Sequence, residues 1–355
     1  MSAPAPPRTA LFEPEELAAP ALPVCDHYSG VEARMRKSLA LQAEMGPVFD
    51  VTLDNEDGAP VGAEVEHARL VAELLGSAAN RHGRVGVRLL PWGHARFHDV
   101  LEVVLGAARA PAYLMLPKPR SAADVQQAAD AIERAGGRAV PLHALIETHG
   151  ALAEVAAIAA HPRIESLSFG LMDFVSAHRG AIPRSAMDAE GQFTHPLVLR
   201  AKLEIAAACH AQAKVPSHSV VTELADAQAI GRAARRAAAE LGYTRMWSIH
   251  PAQIRPIVEA FAPRADELAL ALEIVEAAQA AHWAPIRHRH GGEDRLHDRA
   301  SYRYFWQLIE RAERTGWVGT TPPPAALRAA WVGGNAAART RPAGDAPAAE
   351  AMVES

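Results

Sequence analysis

Glu147 and Asp173 each follow a short apolar run, Ala144-Leu-Ile-Glu147 and Ser168-Phe-Gly-Leu-Met-Asp173. Two such carboxylates on adjacent strand ends can converge on one hard cation, since Mg²⁺ prefers one or two protein carboxylates plus waters and substrate oxygens. Arg88 closes another run, Val85-Gly-Val-Arg88, and its planar fork suits a carboxylate or enolate oxygen that a lysine would grip less specifically. Asp26 and His27, Asp54 with Glu56 and Asp57, Lys118, His218 and His250 follow runs of their own. The set fits a 2-oxo acid or its enolate, the species formed when a C–C bond beside a carbonyl is made or broken. Nucleotide phosphate is not indicated, because the chain has neither G-x-x-x-x-G-K-[ST] nor a G-x-G-x-x-G after an apolar run.

Those residues need a scaffold that brings the ends of separate runs together. Eight runs read as strands: Ala21 to Cys25, Val48 to Leu53, Arg84 to Leu90, Ala112 to Leu116, Arg138 to Ile146, Ser166 to Phe169, Val215 to Val221 and Thr244 to Ile249. Amphipathic stretches of helical period lie between most of them, among them Val65 to Leu75, Ala122 to Ala135, Ala151 to Ala160, Leu197 to Ala213 and Ala225 to Leu241. Eight strands alternating with helices predict an α/β protein, a closed (β/α)8 TIM barrel. In that architecture active sites are assembled at the C-terminal ends of the strands, where these polar residues fall.

Composition predicts an ordinary soluble globular protein. The chain has 355 residues with 49% hydrophobic and 22% charged positions, enough for one large core. A formal charge of −5 without a basic block argues against nucleic acid as a partner. Cys25 and Cys209 are too few for a disulfide framework, no basic n-region precedes an apolar core, and no run is long enough to span a membrane. Those features predict a cytoplasmic protein with no membrane partner. The expected division is an N-terminal extension over 1–20, the barrel over 21–262, a C-terminal helical lid region over 263–318, and a disordered Pro/Ala-rich tail over 319–355.

Six strings resemble, in order and spacing, the motifs of the HpcH/HpaI aldolase and citrate lyase β-subunit superfamily. They are Val51-Thr-Leu-Asp-Asn-Glu-Asp-Gly-Ala-Pro60, Val87-Arg-Leu89, Leu114-Met-Leu-Pro-Lys118, Ala144-Leu-Ile-Glu-Thr148, Ser168-Phe-Gly-Leu-Met-Asp173 and Ser248-Ile-His-Pro-Ala-Gln-Ile254, and the likeness covers roughly 21–315. The resemblance implies a (β/α)8 barrel, a divalent metal (Mg²⁺, with Mn²⁺ as the alternative), and lyase or aldolase chemistry on acids often carried as coenzyme A thioesters. It places the metal on Glu147 and Asp173, the oxo-acid carboxylate on Arg88, and Glu56 and Asp57 in support of the metal waters and the arginine; Lys118 at the barrel rim is expected either beside the substrate or solvated or paired with Glu147. Gly292-Glu-Asp-Arg-Leu-His-Asp298 and the following Arg299 to Arg314 resemble the lid of citryl-CoA and malyl-CoA lyases. There the matching acid, Asp298 here, enters a neighbouring subunit's site, which implies a homo-oligomer, a trimer or hexamer. Tyr302, Phe305, Trp306 and Ile309 recur at helical intervals in that segment and are expected to pack either on a partner surface or on their own barrel.

The expected reaction is therefore Mg²⁺-dependent cleavage of a citryl-, malyl- or citramalyl-CoA type substrate to an acyl-CoA and a 2-oxo acid. The sequence departs from the family at Asn55-Glu56-Asp57-Gly58, at Val215-Pro-Ser-His218 and at Cys25-Asp-His-Tyr28, where an acyl group or pantetheine arm would pass. Three other readings stay open: an aldolase for a free 2-oxo acid, a non-catalytic barrel that binds an acyl-CoA, and a zinc hydrolase built on His288, His290 and His297. The spacing of those histidines matches no closed zinc motif, and Arg287, Arg289, Arg295 and Arg299 crowd them.

Overall fold

Strands form here where apolar and β-branched residues must be covered on both faces, and helices where apolar residues return every third or fourth position. The computed structural model describes residues 5–17, 19–224 and 226–332. Eight parallel strands close into a barrel in sequence order, the last pairing with the first. They are β1 (Cys25–Ser29), β2 (Phe49–Asp54), β3 (Val85–Arg88), β4 (Leu114–Leu116), β5 (Leu142–Ile146), β6 (Ile164–Phe169), β7 (Val215–His218) and β8 (Arg245–Ser248). This is the expected (β/α)8 barrel.

The first strand differs from its expected place. It occupies Cys25–Ser29 rather than Ala21 to Cys25, because the barrel interior is polar near its base. Asp26, expected at a strand end, lies fully buried inside, with its carboxylate 3.0 Å from Arg245 Nη2. The Thr52 hydroxyl donates to Asp26 over 2.7 Å, and the Tyr113 hydroxyl donates to it over 3.0 Å. Arg245 also donates through Nη1 to Asp50, at 2.6 Å, and to the Pro23 carbonyl. Tyr113 stacks on His143 with ring centroids 3.9 Å apart. The interior charges are thus paired within the barrel, as buried charges must be.

Helices coat the barrel. Glu32–Met45 buries Met35, Ser38, Leu39 and Gln42, a stripe at helical spacing that contains two polar residues. Gln42 belongs there because its amide donates to the Phe49 carbonyl over 2.8 Å. Ser121 and Thr148 cap the helices Ala122–Arg134 and His149–Ala153 by accepting backbone N–H groups.

Beyond the barrel, helix Ala265–Ala280 packs on helix Arg299–Arg314, with the antiparallel hairpin β9 (Ile286–His290) and β10 (Glu293–His297) between them in sequence. Tyr302, Trp306 and Ile309 are buried against Leu268, Ala271, Ile274, Val275 and Leu11 of their own chain. The apolar stripe of this helix is covered within its own chain, so of the two expected packings the one on a partner surface does not hold for these three residues. Part of the expected N-terminal extension joins in, since Leu11 is buried and Arg303 pairs with Glu16.

The expected tail also needs correction in part. Residues Ala325–Val332 are helical, and Trp331 is buried against Trp306, ring centroids 5.9 Å apart, with its indole donating to Gln279 over 2.8 Å. The remainder of that tail, 333–355, lies outside the described residues. One large anchor offsets the low apolar content, since a buried indole outweighs several small residues. Trp331→Ala is expected to cost about 3 kcal/mol of stability, as for other buried aromatic truncations. A urea midpoint equal to that of the wild type would show that the tail is merely draped on the surface.

Candidate functional site

The strand ends of β2 to β6 meet at the mouth of the barrel. Asp54 and Arg88 are register partners on β2 and β3, so their side chains emerge side by side. Arg88 grips Asp54 with a two-pronged fork, Nε to Oδ1 at 2.7 Å and Nη2 to Oδ2 at 2.5 Å. Its remaining Nη1 reaches Glu56 Oε2 at 3.1 Å. Asp54 in turn accepts the backbone N–H groups of Glu56 and Gly58, each at 2.8 Å, which folds the loop after β2 back over the mouth.

Lys118 continues the chain of charges. Its ammonium donates to Glu56 Oε1 at 2.5 Å and to Asp57 Oδ2 at 2.7 Å, and lies 3.7 Å from Asp173 Oδ1. The Lys118 backbone is in the left-handed region, φ 49°, a strained conformation for a lysine. That twist turns its N–H onto Glu147 Oε1 at 2.8 Å. The other Glu147 oxygen faces Gly170, where any Cβ would overlap the carboxylate; only glycine lets β6 approach so closely.

Five carboxylates, Asp54, Glu56, Asp57, Glu147 and Asp173, therefore surround two cations, Arg88 and Lys118. Burial pushes the Glu147 carboxyl up to about 8, and the neighbouring Asp173 charge adds to the rise. Burial alone would lower the Arg88 guanidinium, but Asp54 and Glu56 outweigh it and hold it above the ordinary arginine range. For Lys118 the same contest goes the same way, with Asp57 and Glu56 overcoming desolvation. A surplus of carboxylate, one of it buried and reluctant to ionise alone, is the donor chemistry that a hard divalent cation completes. Glu147 and Asp173 could supply it, because neither is gripped by a guanidinium fork, as Asp54 is, and neither accepts a hydrogen bond from the Lys118 ammonium, as Glu56 and Asp57 do.

Beneath the mouth, Tyr28, Met115, Leu145, Val220 and Trp247 form a separate apolar cluster. Tyr28 and Trp247 stack with centroids 4.4 Å apart, and the Arg88 guanidinium sits 5.4 Å over the Tyr28 ring. On the β1 and β8 side a cavity of about 160 Å³ is lined by residues including His27, Tyr28, Arg34, Lys37 and His250. His27 is held neutral there: burial pushes it down to about 4, and its Nδ1 lies 3.0 Å from the Ser248 hydroxyl. Arg34 and Lys37 are one helical turn apart, which puts a guanidinium and an ammonium on one rim of the cavity.

The structure brings together Arg88, Glu56, Asp57, Lys118, Glu147 and Asp173. Asp298 is not among them: it caps helix Arg299–Arg314, accepting from the N–H groups of Ala300 and Ser301. His250 is likewise a cap, accepting from Ala252, and His218 is buried, stacked on Phe193. His288, His290 and His297 lie on the hairpin β9–β10 and are not among the residues that meet at the mouth. Asp54, Arg34 and Lys37 carry no assigned role in the sequence reading. The signal for Asp54 was its place as the last residue of β2 facing the arginine that ends β3.

Fold and site together define a (β/α)8-barrel protein with a metal-ready acidic mouth anchored by one buried arginine. Residues 35–251 match the HpcH/HpaI aldolase/citrate lyase family, and the chain belongs to that family. It is 53% identical to a citrate lyase from Burkholderia xenovorans LB400, with a TM-score of 0.77 and coverage of 92% of this chain and 98% of that one. An L-malyl-CoA/β-methylmalyl-CoA lyase from Cereibacter sphaeroides is 32% identical over 200 residues, 52% of this chain. The match spans 62% of that relative's length. The Rhodobacter capsulatus enzyme of the same name is 30% identical over 231 residues, 61% of this chain and 72% of that protein. The fold is shared with CitE from Mycobacterium tuberculosis, solved with magnesium, acetoacetate and coenzyme A, at 22% identity, a TM-score of 0.64 and coverage of 82% and 99%. No helix among the described residues is long and apolar enough to cross a membrane.

Proposed function

We propose that this protein is a Mg²⁺-dependent carbon–carbon lyase that cleaves a 3-hydroxyacyl-CoA of the malyl-, citramalyl- or citryl-CoA type into an acyl-CoA and a 2-oxo acid. The observation that carries the reading is the convergence of Glu147 and Asp173 beside the Arg88–Glu56–Lys118 chain. Glu147 and Asp173 would hold the Mg²⁺, or Mn²⁺, which when bound supplies Lewis acidity to the oxo and enolate oxygens. Arg88 presents its guanidinium to the substrate carboxylate while Asp54 fixes its orientation. Glu56 and Asp57 hold Lys118 at the rim beside the reacting acid. Arg34 and Lys37 offer charge for the phosphates of a coenzyme A handle passing the cavity below them.

The names of the relatives support the thioester class. Asp298, exposed at the start of its helix, is assigned to the site of a second copy in a homo-oligomer. Both cysteines are free and buried, which suits a reducing compartment such as the cytoplasm.

Incubation with citryl-, malyl- and citramalyl-CoA, with and without Mg²⁺, tests the reading. One thioester should release its acyl-CoA and 2-oxo acid only with the metal, and its free acid should react about 100-fold more slowly, since remote binding energy is lost. Turnover of free 2-oxo acids alone would make the protein a sugar-acid type aldolase. Metal-independent cleavage would overturn the assignment of Glu147 and Asp173.

A further inference from the structure

We propose that Glu273, His288 and His290 form a binding site for a divalent transition metal of the zinc type, which clips the hairpin β9–β10 to helix Ala265–Ala280. His288 and His290 are alternate residues of β9, so both imidazoles leave the same face of the hairpin. The helix opposite supplies Glu273, whose Oε2 lies 3.2 Å from His288 Nε2 and 3.0 Å from His290 Nδ1. All three donor atoms lie within 4.8 Å of one another. Ligands about 2.1 Å from a shared ion stand roughly 3.0 Å apart in octahedral and 3.4 Å apart in tetrahedral geometry. The two measured separations fall in that interval. Two imidazoles and one carboxylate select zinc and its neighbours over Mg²⁺, which takes oxygen ligands.

A second observation comes from β10. His297 pairs with Ile286 across the hairpin, which puts it on the same face as His288 and His290. It is 8% exposed, its ring centroid lies 6.4 Å from that of His288, and its Nδ1 is buried without a hydrogen-bond partner. Such an imidazole is placed to join or support the metal ligands. Three of the four arginines that crowd this region have carboxylate partners, Arg299 pairing with Glu13. Arg295, opposite His288, pairs with Glu293, and Arg287 on the other face pairs with Asp294.

The fold gives the clip something to do. A two-stranded hairpin is marginal by itself, and β9 and β10 expose most of their residues. Their turn, Gly291–Gly292, has φ of 58° and 86°, a backbone open to few other residues. A metal joining β9 to the helix would replace two weak surface hydrogen bonds with coordinate bonds, each neutral imidazole binding through the nitrogen that faces Glu273 and carrying its proton on the other.

The test uses the full untagged chain, stripped with chelator and held in excess Mg²⁺ so that the barrel carboxylates are occupied, and then titrated with Zn²⁺ alone. Calorimetry should show one tight equivalent, and amide exchange over 286–297 should slow when it binds. His290→Ala and Glu273→Gln should each weaken that equivalent by at least about tenfold, and the double variant His288→Ala/His290→Ala should abolish it. All three residues are at least partly exposed, and the circular dichroism of the variants should match the wild type. Equal zinc binding by wild type and double variant, or none beyond what Mg²⁺ displaces, overturns the site. Binding without slower exchange overturns the clip.

Discussion

Glu147→Gln is expected to lower Mg²⁺-dependent turnover by about two to three orders of magnitude while leaving the barrel intact. The loss follows from charge: the neutral amide gives an ion held by two carboxylates only one, and a metal at a developing enolate contributes several kcal/mol. The shape is kept, because glutamine can still accept the Lys118 N–H that Glu147 accepts at 2.8 Å. The metal-free stability supplies a control. The folded carboxyl, raised to about 8 by burial, binds its proton more tightly than in the unfolded chain. Wild-type stability therefore falls as pH rises from the ordinary carboxylate range toward 8, and glutamine escapes that loss. Without metal, the variant should melt no lower than wild type at pH 8. Full turnover at limiting Mg²⁺ would end the metal assignment, and a much lower melting temperature at pH 8 would make Glu147 a structural residue. Gly170→Ala should act through the same carboxylate, since the added methyl displaces Glu147 from its position.

The two halves of the site were legible to different degrees in the sequence. Arg88, Lys118, Glu147 and Asp173 stand at or just beyond strand ends, and a parallel barrel puts all such ends on one rim. Their convergence needs little more than the strand count. The role of Asp54 was hidden because it depends on register: only the pairing of Asp54 with Arg88 shows that the arginine has a fixed partner. Arg34 and Lys37 were hidden for a local reason. Their helix, Glu32–Met45, buries Ser38 and Gln42 in its inner stripe, so the apolar period that would reveal the helix is broken.

Packing beyond the barrel was the least legible. The apolar stripe of Arg299–Arg314 is evident in sequence, but whether it meets a partner or its own chain depends on Leu11 and Trp331, each a single residue in a weak context. The same limit moved β1: a strand that buries Asp26 in the barrel interior and the next residue, His27, on the opposite face reads as a loop unless their partners Arg245 and Ser248 are known. Polar interiors escape patterning because they are stabilised by specific partners and not by composition.

Arg245→Met is expected to cost about 3–5 kcal/mol, the penalty for removing one member of a buried ion pair. Arg245 is 0% exposed and holds two buried carboxylates at once, Asp26 at 3.0 Å and Asp50 at 2.6 Å, while also donating to the Pro23 carbonyl. Methionine fills most of the volume and leaves both carboxylates in the barrel with fewer donors. Asp50 keeps Arg84, whose guanidinium lies 2.7 Å away, and Asp26 keeps the hydroxyls of Thr52 and Tyr113. Asp26 therefore bears most of the uncompensated charge. Arg245→Lys should recover only part of the loss, since a point charge cannot reach both carboxylates in the geometry of a fork. Combining Arg245→Met with Asp26→Asn should restore more stability than the two single changes would sum to, because the second change removes the charge that the first one strands. Urea unfolding of the four proteins measures this. Additive losses would mean that Arg245 stabilises the barrel by packing, and that the charges at its centre are screened from one another.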